Sequence, residues 1–141
     1  MGISKVSEEV IDEQRIAQFK KDCDDMFDLT RTALSSEHKA RESRARYATK
    51  RRIRDVGYAL TVDGAPRLSE ETLDNMVGYV DILLMRLAIL SNIVDRNDKH
   101  RINEIDILKT LCWKLVTCID LNREGRTFRD RAHLDRYMVK N

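Results

Sequence analysis

Residues 69–97 read SEETLDNMVGYVDILLMRLAILSNIVDRN, and this stretch decides the fold. Ser69 is a good helix N-cap, and Glu70 and Glu71 follow it where negative charge meets the positive end of a helix. Nothing then breaks the pattern before Asn97, which predicts a helix of about 28 residues, roughly 42 Å long. Between Val80 and Val94 the only charges are Asp81 and Arg86, so apolar side chains lie nearly all round the axis. Such a helix must be covered on more than one side.

On its N-terminal side, Asp63-Gly64-Ala65-Pro66 predicts a loop. Before the loop, Glu37 to Ala59 reads as a helix with Ile53, Val56 and Leu60 on its apolar side. On the C-terminal side, Asp98 to Arg101 is a polar connection. Asn103 is the expected cap of a third helix over Glu104 to Leu115 or beyond, with Ile105, Leu108, Leu111, Cys112 and Leu115 inward. Further out, Ser7 caps a first helix that runs to about Leu34 and is broken by Ser35-Ser36. Its residues Ile16, Phe19, Cys23, Met26, Thr30 and Ala33 form a narrow seam for its own domain, a dimer partner or a third protein. After Gly125 a short helix is expected near Phe128 to Met138.

The chain is therefore expected to be all-α, with an N-terminal extension (1–36), a basic helix and core domain (37–119) and a C-terminal extension (120–141). A short helix, a long apolar helix and another short helix do not close a core alone, because the centre of the long one overhangs its neighbours. The expectation is an obligate pair, with Met76, Val80, Leu83, Leu84, Leu87, Leu90 and Val94 at the dimer interface.

Composition narrows the function classes. With 141 residues and 42% hydrophobic content, one modest domain is expected. The longest uncharged apolar stretch, Leu87 to Val94, is far short of the roughly 20 residues that span a bilayer, and the N-terminus lacks a signal-peptide core. No membrane partner and no secretion are expected. Three cysteines without a CxxC pair and three scattered histidines argue for reduced core thiols, with no metal and no cofactor. Asp22, Asp24, Asp25 and Asp28 lack the glycine and terminal glutamate of a calcium loop and read as a solvated face. No nucleophile–base spacing and no glycine-rich phosphate loop is present, so no enzyme is expected.

The charges are segregated. Residues 39–54 carry eight bases (Lys39, Arg41, Arg44, Arg46, Lys50, Arg51, Arg52, Arg54) and one acid, whereas 55–119 carry ten acids and seven bases. Such a run is either a solvated helix face or a surface for a polyanion. Self-repulsion within the run is relieved by a phosphate backbone, which favours the second reading.

These residues resemble the histone fold of archaeal and eukaryotic core histones and related transcription-complex subunits, over roughly residues 50–119. Arg67-Leu68-Ser69-Glu70-Glu71 looks like the Arg-Val-Ser-Asp-Asp segment that opens the central helix of archaeal histones. Met76, Tyr79, Val80, Arg86, Leu87 and Ala88 follow the spacing of the eukaryotic 2B type, and Arg101 to Ile107 is similar to a histone second loop and third-helix start. The chain departs from that pattern in a slightly shorter central segment and a net acidic fold region, which suits a divergent, viral-type or archaeal-type member. The resemblance implies a handshake dimer with a second histone-fold chain, self or heterologous. It also implies Arg67 at the minor groove, Arg101 and Lys99 near DNA, and a Lys99–Asp106 pair locking the second loop. The expected function is architectural packaging or bending of duplex DNA in a nucleus, nucleoid or viral particle. The alternative is a histone-fold subunit of a transcription or chromatin complex that acts by protein pairing, with a third protein at the N-terminal helix.

Overall fold

The computed structural model describes residue 14, residues 17–30 and residues 39–139. The expected Ser7 cap, the seam positions Ile16 and Ala33, the Ser35-Ser36 break and the Lys39 side chain lie outside the described residues. Every regular element among them is a helix: α1 (17–30), α2 (Lys39–Thr61), α3 (Glu70–Ile93), α4 (Lys99–Arg123) and α5 (Arg131–Val139). The chain is all-α.

The start of α3 follows from its sequence: Ser69 is extended, and its hydroxyl accepts from the Thr72 amide at 3.2 Å, with Glu70 and Glu71 in the first turn. Its end comes earlier than expected. α3 has 24 residues and closes at Val94, whose amide still donates to the Leu90 carbonyl. Asp98, not Asn103, then caps α4 by accepting from the Arg101 amide at 3.2 Å. α4 consequently runs 25 residues from Lys99 to Arg123, starting five residues before the expected Glu104 and continuing eight past Leu115.

That length changes how the core closes. α4 packs along both α2 and α3, and α5 docks on α2. The buried faces are Ile53, Val56 and Leu60 on α2, Leu73 to Leu90 at helical spacing on α3, and Ile105 to Ile119 on α4. α1 contributes Phe19, Cys23, Met26 and Thr30, so the described part of its seam is spent within the chain. Of the seven expected interface residues, Met76, Val80, Leu83, Leu87, Leu90 and Val94 are buried in this single-chain core, and Leu84 is half-buried against it. The expectation that no core closes within one chain is thereby corrected: helices of 23, 24 and 25 residues leave no overhang on that side. The opposite side of α3 remains open, with Ile82, Met85, Ile89 and Ile93 between 40% and 63% exposed.

Two close junctions position the elements. At Gly57 a β-carbon would lie 3.2 Å from the Met138 methyl and 3.4 Å from Cys118 Sγ, so a bare backbone lets α5 and α4 approach α2. Gly125, at φ 71°, ends α4 by turning the chain so that the Arg126 amide reaches the Leu121 carbonyl at 2.8 Å. The three thiols are free and buried. Burial pushes Cys112 and Cys118 up to about 12, and burial reinforced by Asp22 raises Cys23 as well.

One buried polar residue ties the 62–69 loop to the core. The Asn122 amide nitrogen donates to the Leu60 and Pro66 carbonyls at 2.8 and 3.1 Å, and its oxygen accepts from the Leu68 amide at 3.0 Å. Asn122→Ala strands those backbone groups and is expected to lower stability by about 2–4 kcal/mol. The check is a denaturant midpoint that drops while the slope stays constant.

Candidate nucleic-acid interface

Helical periodicity sorts the basic run into three fates. Ala45, Thr49, Ile53, Val56 and Leu60 recur at intervals of 4, 4, 3 and 4 and face the core. Arg46 lies on the edge of that stripe and is only 4% exposed, so it does not belong to a surface footprint. Lys50 is held by Glu104 of α4, and Arg52 reaches Asp22 and Asp25 of α1 at 3.2 and 3.7 Å. These two cations anchor helices to one another. Arg41, Arg44 and Arg51 are exposed on the outer side and carry no ion pair among the described residues.

Tyr47, 68% exposed, stands between Arg44 and Arg51, and with Lys50, Arg51 and Arg54 it forms one wall of a cleft of about 340 Å³. The other wall is α5, through Arg131 and Asp135. Arg131 sits 4.5 Å over the Tyr58 ring and bonds Asp55 at 2.9 Å and Asp135 at 3.5 Å. The bond to Asp55 leads in holding its pKa above the ordinary arginine value. Arg54 is half-buried, and its Nε has no hydrogen-bond partner although it is shielded from solvent. A buried guanidinium N–H without an acceptor is the kind of group that an anion oxygen satisfies. Sequence reasoning missed Tyr47, Arg131 and the role of α5. The available signal was the surplus of six bases over four acids in residues 120–141.

The loop cations stand elsewhere. Arg67 directs its guanidinium onto the Arg123 carbonyl, capping the C-terminus of α4, and its side chain lies against Gly125. Arg101 is half-buried in the first turn of α4, and Lys99 is exposed there. Most of α4, a rise of about 33 Å from Arg101 to Arg123, therefore separates the places that Arg67 and Arg101 occupy. The structure brings Arg101 nearer the basic helix, because Glu104, one turn on, holds Lys50 of α2. Lys99 and Asp106 are not paired across a loop. Both lie on α4, about 10 Å apart in axial rise, because the helix begins at Lys99, inside the Asp98–Arg101 segment expected to be the loop.

Arg67→Ala is expected to cost about 1 kcal/mol of stability by uncapping α4, and the shift of the denaturant midpoint checks it. A second, larger cleft of about 650 Å³ lies between α1, α2 and the 62–69 loop and is lined mainly by apolar groups such as Phe19, Val56 and Leu68, with buried Asp22 and exposed Asp55 also in its lining. No family model, no curated protein and no solved structure matches the chain.

Proposed function

We propose that the chain is a non-enzymatic module that binds duplex DNA through its phosphates as one half of a histone-type pair. The observation that carries this reading is the outer face of α2, where Arg41, Arg44 and Arg51 flank Tyr47 and lead into the α2–α5 cleft with Arg54. Cations that already hold carboxylates contribute little to a polyanion. These four hold none among the described residues, and counterion release makes them the effective part of the run. The succession helix, loop, helix, loop, helix over roughly residues 50–119 is in keeping with the histone-type reading, with α4 beginning inside the expected second loop. On this reading, the nearly equal helix lengths of 23, 24 and 25 residues are a divergence from a short–long–short pattern.

A protein-pairing subunit is the second reading, favoured by the exposed apolar side of α3 and by the internal ion pairs of Lys50 and Arg52. Salt titration separates the two. Phosphate binding through four cations gives a log–log slope of about −3 to −4 per chain with little preference among duplex sequences. A paired chain with no affinity for duplex at low salt overturns the DNA reading and leaves the pairing one. Association with a nucleus, nucleoid or viral particle belongs to the same proposal.

A further inference from the structure

Arg44, Tyr47, Arg51 and Arg54 recur at intervals of 3, 4 and 3 and so form one stripe down the outer side of α2. The aromatic member of that stripe differs from the other three of the chain's four tyrosines. Tyr58 lies under Arg131, Tyr79 packs on Phe27, and Tyr137 packs on Phe128 with Lys114 over its ring. Tyr47 is 68% exposed, and among the described residues no ring or cation contact involves it.

Cations alone suffice for an intact duplex, whose bases are stacked on one another and offer a protein only phosphates, sugars and base edges. A bare ring between two arginines finds its use where a base is unpaired and shows its flat face, since every base stacks on an aromatic side chain. We infer that the α2–α5 cleft takes an unpaired nucleotide of a DNA strand, with its base on the Tyr47 ring and its phosphates on Arg51 and Arg54. The inference rests on the reading of α2 as a phosphate-binding face and names the form of DNA which that face prefers, a duplex that carries a single-stranded end.

Three features of the cleft fit that occupant. Its volume of about 340 Å³ lies at the small end of the range for small-molecule sites, with room for a nucleotide and none for a helix. Arg54 brings a shielded Nε–H that has no acceptor, and a phosphate oxygen supplies one. The facing wall, thirdly, is not purely cationic. Asp55 and Asp135 each engage Arg131 through Oδ1 while 47% exposed, and a carboxylate then has acceptor sites left for the amino groups of cytosine, adenine or guanine. Cations on one wall and carboxylates on the other suit a ligand that joins an anion to a hydrogen-bond donor, as a nucleotide does. An acidic peptide sets its charge against both carboxylates and is the poorer fit.

The test compares the affinity of the full chain for three forms of one duplex: blunt, with a short single-stranded overhang, and with an overhang of the same length built from abasic sugar-phosphate. The intact overhang is expected to bind about 10-fold or more tighter than the abasic one, which carries the same phosphates and lacks only the bases. Tyr47→Ala is expected to abolish that difference while leaving the affinity for blunt duplex and the melting curve unchanged. Tyr47→Phe is expected to keep it. Equal affinity for the intact and abasic overhangs overturns the inference, and so does a preference that survives Tyr47→Ala. Displacement of the overhang by oligoglutamate as readily as by unlabelled overhang assigns the cleft to an acidic peptide and overturns it too. Blunt duplex bound with no gain from the overhang removes only the unpaired nucleotide. No binding of any form at low salt removes the phosphate-binding reading of α2, and this inference with it.

Discussion

Leu87→Asp is expected to leave the chain unfolded, whereas Ile89→Glu, two residues along the same helix, leaves it folded. Leu87 is fully buried among the faces of α3 and α4, and Ile89 is 51% exposed. The first change removes a core side chain, worth about 2–5 kcal/mol, and leaves a carboxylate with no partner, at several kcal/mol more. Against a total stability of about 5–15 kcal/mol the folded state does not survive. Circular dichroism at neutral pH measures both variants. If both lose their helices together, α3 depends on its outer side for folding, and the single-chain core is not self-sufficient. If both stay folded, Leu87 is not in the core. The split outcome separates a chain that folds first and pairs second from one whose core exists only when shared.

The start of α3 was legible because capping is local: Ser69 needs only Thr72 and two glutamates nearby. The start of α4 lies five residues, nearly a turn and a half, before the expected one. Asp98 and Asn103 are both good caps, and the choice fell to Asp98 because Lys99, His100 and Arg101 accept helical conformation at no special cost. That shift and the continuation to Arg123, eight residues past Leu115, carry most of the architecture. They turn a short third helix into one that spans α3 and closes the core. Asn122 was invisible for a different reason, since its partners Leu60, Pro66 and Leu68 lie 62, 56 and 54 residues away. In the basic run, the 4-4-3-4 spacing from Ala45 to Leu60 was in the sequence and already placed Arg46 beside the buried stripe. Which of the remaining cations were spent on Asp22, Asp25 and Glu104 required the positions of α1 and α4.

Arg44→Glu with Arg51→Glu is the change with the largest expected effect on function, because it reverses the two exposed cations on either side of Tyr47. Neither side chain holds an ion pair among the described residues, so the helix loses no tertiary contact, and the melting curve is expected to stay within about 0.5 kcal/mol of the unmodified chain. Each arginine on a phosphate is a charge-assisted contact of about 1.5 kcal/mol or more, and reversal adds repulsion, so duplex affinity is expected to fall roughly 100- to 1,000-fold at moderate salt. The salt slope is expected to flatten by about two counterions. Lys50→Glu with Arg52→Glu changes the net charge equally but strikes cations that join α2 to α4 and α1, so its leading effect is on stability. Equal loss of affinity from the two pairs at equal stability would mean that DNA responds to net charge alone. Loss confined to Arg44 and Arg51 places the contact on the outer face of α2, where the helix period leaves those side chains open to solvent.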